Sequence, residues 1–196
     1  TNEEGARFAL DMLGSLVYAG GLPLAEALDR IAIDGARLGD ELVRIGQAGS
    51  APLPLHRPHA YVELHIEQGP VLDAEGITIG AVENLQGISW QELTLTGQSN
   101  HAGTTPMRLR HDAGYAAAAI GHFLRGLTKE MGGNQVATVG ALTLHPNLIN
   151  VIPARAVMTV DLRNTDETML QQAEQALNAF LATLAKEEGV TITSRR

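Results

Sequence analysis

Apolar and polar positions along this chain change period several times, and the changes mark out its elements. Residues 5–20 carry Phe8, Leu10, Met12, Leu13, Leu16 and Val17 at helical spacing and stop at Gly20-Gly21, which predicts a helix. Residues 23–33 and 35–45 read as two shorter helices, and a loop rich in Pro and Ala follows over 49–58. Residues 61–66 then read as a buried strand, 70–74 as a short helix and 77–82 as another strand.

The second half has a cleaner rhythm. Residues 90–96 alternate, with Gln91, Leu93 and Leu95 on one face and Trp90, Glu92, Thr94 and Thr96 on the other. Residues 110–127 are expected to form a helix with an Ala-rich face, closed by Gly126 and the Met131-Gly-Gly-Asn turn. Strands follow at 136–144 and 156–162, then a long amphipathic helix at 168–188 ended by Gly189, and a last strand at 190–193. That β-α-β-β-α-β order is the split βαβ pattern of a ferredoxin-like α+β sandwich. Two domains are expected, 1–84 and 85–196, with the boundary near Asn84–Gly87. No internal repeat is visible.

Composition narrows the picture only slightly. The net charge is −8, with twelve Arg and two Lys. An acidic balance disfavours nucleic acid as a partner and leaves the arginines for specific carboxylate contacts. No apolar run is long enough to span a bilayer, so no membrane partner is expected. With no cysteine, disulfides and thiolate chemistry are excluded, which agrees with a cytoplasmic location. The chain opens on Thr rather than Met, so it is expected to be a piece of a longer protein.

Four groups of residues carry candidate chemistry. Glu3-Glu4-Gly5 places adjacent carboxylates before a helix, where one can bind a metal while the other faces a substrate, or both can simply favour the helix N-terminus. Glu63, His65 and Glu67 fall on one face of the predicted strand that ends at Gln68-Gly-Pro70. That row suits a zinc-like or harder metal, or it is merely half-exposed. The run Gly97-Gln-Ser-Asn-His-Ala-Gly-Thr-Thr-Pro-Met107 presents His101 on a short rigid loop, able to deliver a donor or a proton unless it is only solvated there. Asn150 precedes Val-Ile-Pro153, and Arg163 follows Asp161-Leu162. The Arg fork either reads a carboxylate or pairs with Asp161 or Asp166. His56, His59, His111, His122 and His145 show no partner pattern and read as surface or helix-face residues.

Taken in order, Glu-Glu-Gly, His-Ile-Glu-Gln-Gly-Pro, Asn-His-Ala-Gly-Thr-Thr-Pro-Met, Asn-Val-Ile-Pro and Asp-Leu-Arg resemble the metal-dependent amidase branch of the M20 peptidase family. That branch holds N-carbamoyl-L-amino acid hydrolases, allantoate amidohydrolases and β-ureidopropionases. The resemblance covers essentially the whole chain. It implies a partial α/β metallo-exopeptidase-like catalytic segment followed by a ferredoxin-like lid that makes a homodimer. It further implies two divalent metals, Zn, Mn, Co or Ni, and a small ureido substrate bearing a carboxylate. On this resemblance Glu3 is the general base, Glu4 and His65 are metal ligands, and Gln68 contacts substrate. His101 stabilises the oxyanion in the partner's site, and Asn150 and Arg163 together grip the carboxylate. Family members also carry a His and a bridging Asp ahead of the Glu-Glu pair, and a His near the C-terminus. None of these is in the sequence, so the chain alone is expected to be a poor enzyme. The alternative is that it serves as a non-catalytic lid and dimerisation module.

Overall fold

The computed structural model describes residues 3, 5–51 and 58–196. Contacts divide the chain into two compact units, Thr1–Ala74 and Glu75–Arg196, ahead of the boundary expected at 84–87.

The first unit holds short helices: α1 Leu13–Tyr18, α2 Leu24–Leu28, α3 Leu38–Arg44 and α4 Val71–Glu75 at its end. The helix expected over 5–20 is cut short because Leu10 and Met12 take positive φ values of 99° and 54°, which breaks the helical path. Phe8, Leu13, Ala27, Ala32 and Leu38 make a small apolar cluster. The buried strand expected at 61–66 does not form, and Val62 and Leu64 are 92% and 91% exposed. The strand expected at 77–82 is likewise absent. Alternation makes a strand only where a neighbour takes up its N–H and C=O groups, and among the described residues neither segment has that neighbour.

Salt bridges tie the small cluster together from outside. Arg7 reaches Asp34 at 2.9 Å and Glu41 at 2.6 Å, and Arg44 also holds Glu41 at 2.8 Å. Hydrogen bonds from Arg44 and then Arg7 pull the Glu41 carboxyl down from 4.5 to about 2. A carboxylate whose folded pKa is depressed stabilises the fold above its unfolded pKa, and that stabilisation is lost as pH falls through the folded value. The Phe8 cluster is therefore expected to loosen between pH 4.5 and about 2. In Glu41→Gln the same cluster, followed through the Phe8 ring resonances, is expected to be less stable at neutral pH and to lose less stability across that window, where Asp34 beside Arg7 still titrates.

The second unit is built on one antiparallel sheet. Its elements run β1 Gly87–Thr96, α5 Ala113–Met131, β2 Val136–His145, β3 Arg155–Asn164, α6 Glu167–Glu188 and β4 Thr191–Arg195. The strand order across the sheet is β2-β3-β1-β4. Leu93 and Leu95 of β1 and Ala156, Met158, Val160 and Leu162 of β3 point to one face, as the alternation predicts. Ala116, Ala117, Ile120 and Leu124 of α5 and Ala173, Leu177 and Leu181 of α6 pack into the same core. Small residues on α5 let that helix lie close to the strands, and stacked Phe123 and Phe180 rings, 4.1 Å between centroids, tie α5 to α6.

Side chains set the helix ends. The Asp112 carboxylate accepts from Gly114 and Tyr115 N–H, so α5 begins at Ala113 and Arg110 is left in the preceding loop. Asp166 caps α6 through Met169 N–H. His111, expected to be a surface residue, lies within 3.3 Å of the Glu188 carbonyl through its Nδ1. Gly189 ends α6 at φ 61°, and a Cβ there would fall 2.4 Å from His111 Nδ1, so glycine answers both the turn and the close approach. Outside the core, Trp90, Asp161 and Arg163 stand on the opposite, open face of the sheet.

Candidate active site

The His101 loop grows directly out of the β1–β3 pair. Thr96 faces Arg155 at the end of the ladder, and the two segments keep bonding beyond it. Gly97 N–H donates to Ala154 C=O at 2.7 Å, Ile152 N–H to Asn100 C=O at 2.9 Å, and Ala102 N–H to Asn150 C=O at 2.9 Å. An isolated antiparallel bridge joins His101 to Val151. His101 and Asn150 are thereby brought side by side on paired segments, both exposed to solvent.

The loop is stiff from within. The His101 carbonyl accepts from Thr105 N–H at 3.2 Å and from Thr105 Oγ1 at 2.8 Å. Gly103 N–H donates to His101 Nδ1 at 3.1 Å. Arg110 donates from Nε to Thr105 C=O at 3.1 Å and from Nη2 to Ala102 C=O at 2.6 Å. Sequence reasoning missed Arg110, because nothing in local spacing signals a side chain that turns back onto two upstream carbonyls. His101 Nδ1 is an acceptor here, so the neutral ring carries its proton on Nε2.

Arg163 is at the other end of β3. From Arg155 to Arg163 the extended strand covers about 26 Å. Asn150 lies further out, past the start of that strand. Asn150 and Arg163 of one copy therefore cannot close on one carboxylate, so a pair that grips one carboxylate would draw them from two copies. Locally, Arg163 takes the partner the sequence offered. Its Nε contacts Asp161 Oδ1 and Oδ2 at 3.0 Å each, and its Nη2 meets Oδ2 at 2.8 Å. Those bonds push the guanidinium pKa above its ordinary value. Its Cζ also lies 5.8 Å from the Trp90 ring centroid. Asp161 occupies the Nε/Nη2 side of the fork and leaves the Nη1 end without a partner among the described residues.

The first unit places its candidates differently. Glu3 accepts from Ser15 N–H at 3.2 Å and from Ser15 Oγ at 2.7 Å, at the first turn of α1. Its carboxylate thus takes the helix N-terminal position that the adjacent acids also allowed. Glu4 lies outside the described residues. The row of Glu63, His65 and Glu67 does not share a strand face. His65 Nε2 pairs with Glu63, whose carboxyl is lowered by the Tyr61 hydroxyl and then by His65. Glu67 turns away to accept from Val71 and Leu72 N–H at 2.6 and 2.8 Å, capping α4. Gln68 sits exposed at φ 56° in the turn between them. Imidazole and carboxylate donors suit zinc-like ions. Among the described residues, however, no group of three or more such side chains converges, so the fit to a metal centre is incomplete.

Residues 84–189 match the M20 peptidase dimerisation domain, and the chain belongs to that family. It is 43% identical over 190 residues to an N-carbamoyl-L-amino-acid amidohydrolase of Rhizobium meliloti, a match covering 97% of this chain and 46% of that protein. It is 38% identical to an allantoate amidohydrolase of Escherichia coli, covering 97% of this chain and 47% of that one. Among solved structures, an amidase of the hydantoinase/carbamoylase family from Burkholderia multivorans superposes with a TM-score of 0.89 at 44% identity. That match covers 100% of this chain and 47% of the neighbour. The chain spans about half the length of the curated relatives it matches. Among the described residues no helix is long and apolar enough to cross a membrane.

Proposed function

We propose that this chain supplies the ferredoxin-like lid and part of the catalytic domain of a cytoplasmic, homodimeric amidohydrolase. The enzyme cleaves a linear ureido C–N bond, and the reading favours N-carbamoyl-L-amino acids as substrates. Water and the carbamoyl compound give the amino acid, carbon dioxide and ammonia. Allantoate and ureidopropionate are the alternative substrates, since the relatives' names divide between carbamoyl amino acids and allantoate or related ureides.

The observation that carries the reading is the placement of His101 beside Asn150, with Arg163 a strand's length away. In a two-fold dimer the two ends of one sheet serve two different sites. His101 and Asn150 of one copy then meet Arg163 of the other. The His101 Nε2–H donates to the ureido carbonyl oxygen as negative charge develops there. The Asn150 amide orients the polar end of the substrate, and the Nη1 end of Arg163 takes its carboxylate. Gln68 contacts the substrate beside His65.

Glu3 collects a proton from the attacking water in this reading, once it is released from Ser15. Glu4 and His65 are two of the ligands for a pair of divalent ions, Zn, Mn, Co or Ni. Bound there, such ions would make water more acidic and polarise the carbonyl.

A second reading rests on the same residues. With no converging set of ligands among those described, the chain by itself is a lid and dimerisation module without activity. The two readings agree on the isolated chain, and one assay tests both. Ammonia release is measured after loading with Mn²⁺, Co²⁺, Ni²⁺ or Zn²⁺, for the chain and for the full-length protein that contains it. The full-length protein is expected to turn over N-carbamoyl amino acids fastest, with the chain inactive. A metal-loaded full-length protein inert to carbamoyl amino acids, allantoate and ureidopropionate would overturn the proposal.

A further inference from the structure

We infer that Arg110 is the positioning residue that holds His101 as an Nε2–H donor, acting through the loop backbone rather than on the substrate. The inference rests on the proposed role of His101 and adds to it how that role is set.

The half-buried guanidinium donates to two carbonyls, those of Ala102 and Thr105. Those residues follow His101 at one and four positions, so the fork spans the turn that carries the ring. No carboxylate pairs with Arg110 among the described residues, and the charge is spent on these two backbone bonds. Charge-assisted bonds from a planar fork are stronger and more directional than neutral ones.

With the turn fixed, three further contacts follow. Thr105 closes onto the His101 carbonyl with its N–H and hydroxyl. Gly103 N–H is brought onto His101 Nδ1. The ring then lies close over its own loop, since a Cβ on Gly103 would come within 3.3 Å of His101 Cε1. A nitrogen that accepts an N–H bond cannot hold a proton, so the neutral ring keeps its proton on Nε2. Loss of Arg110 frees the Ala102 and Thr105 carbonyls, and the ring is no longer held in one tautomer. Lysine cannot replace the fork, because a single ammonium on a flexible stem does not span two carbonyls in fixed geometry.

Two readouts test this. The first uses the chain itself, with ¹⁵N-labelled histidine and long-range proton–nitrogen correlation in alkaline solution. Wild-type His101 is expected to show an unprotonated Nδ1 and a protonated Nε2. Arg110→Ala and Arg110→Lys are expected to average the two tautomers, and added ethylguanidinium is expected to restore the single form in Arg110→Ala. Arg110→Lys keeps the charged stem and serves as the variant if the alanine chain fails to fold. The second readout is kinetic, in the full-length enzyme. Arg110→Ala is expected to lower kcat by about 100-fold, with KM changed less than about twofold. A protonated Nδ1 in the wild type, or an unchanged tautomer and kcat in both Arg110 variants, overturns the inference. Full turnover in His101→Ala instead overturns the reading of His101 on which it rests.

Discussion

Gly97→Ala is expected to destabilise the second unit by about 3 kcal/mol and to unseat the His101 loop. A Cβ at this position would lie 2.0 Å from the His111 carbonyl oxygen and 2.9 Å from its carbonyl carbon. Both obstacles are backbone. The His111 carbonyl accepts from Gln98 N–H at 2.9 Å, and Gly97 N–H is bonded to Ala154 C=O at 2.7 Å, so neither side can yield cheaply. Relief of the clash must break the junction from which the loop leaves β1. Unfolding of the chain in urea, followed through Trp90, its one tryptophan and a β1 residue, measures the effect. Gly126→Ala is the control. That glycine lies inside α5 with nothing within 4 Å of its Cβ direction, and alanine there is expected to stabilise by about 0.5–1 kcal/mol. Equal stability of the Gly97 variant and wild type would show that the junction is looser than described.

His101→Ala in the full-length enzyme is expected to lower kcat by about 10²–10³ with metal content unchanged. The loop survives this change, because Arg110 and Thr105 hold backbone carbonyls that alanine retains. What disappears is the Nε2–H donor, and so transition-state stabilisation rather than binding. Arg163→Ala is expected to act mainly through KM, since a carboxylate contact is already made in the ground state. A fall in metal content with His101→Ala would make His101 a ligand and overturn the assignment.

From residue 87 onward the second unit was legible in the sequence because its signals are local and agree with one another; the strand expected at 77–82, ahead of it, was not found. Alternation in 90–96, helical stripes in α5 and α6, and Gly189 at the end of α6 each depend on neighbours a few residues away. The first unit was not legible in the same way. Residues 61–66 alternate as a strand does, yet whether such a run pairs depends on a partner that these residues do not encode. The helix expected over 5–20 fails at Leu10 and Met12, where tertiary placement overrides the apolar periodicity.

The site divides along the same line. His101 stood out by its loop chemistry, and the Asp161 partner of Arg163 was readable two residues away. The juxtaposition of His101 with Asn150 required the β1–β3 register, which spacing alone does not give. The separation of Asn150 from Arg163 follows from the length of the strand between them. Arg110 depends on bonds to carbonyls and leaves no trace in residue pattern.

The central claim is that one active site takes His101 and Asn150 from one copy and Arg163 from the other. Mixing His101→Ala chains with Arg163→Ala chains in the full-length enzyme tests it directly. At substrate concentrations far below the wild-type KM, where a KM defect shows in full, each variant alone is expected to be nearly inactive. In a mixed dimer one site collects both defects and the other collects neither. Random assortment of equal amounts is therefore expected to restore about one quarter of wild-type turnover. If His101 and Arg163 of the same chain served one site, every site in every dimer would carry one defect. No recovery from a mixture shown by mass to contain mixed dimers would contradict the account.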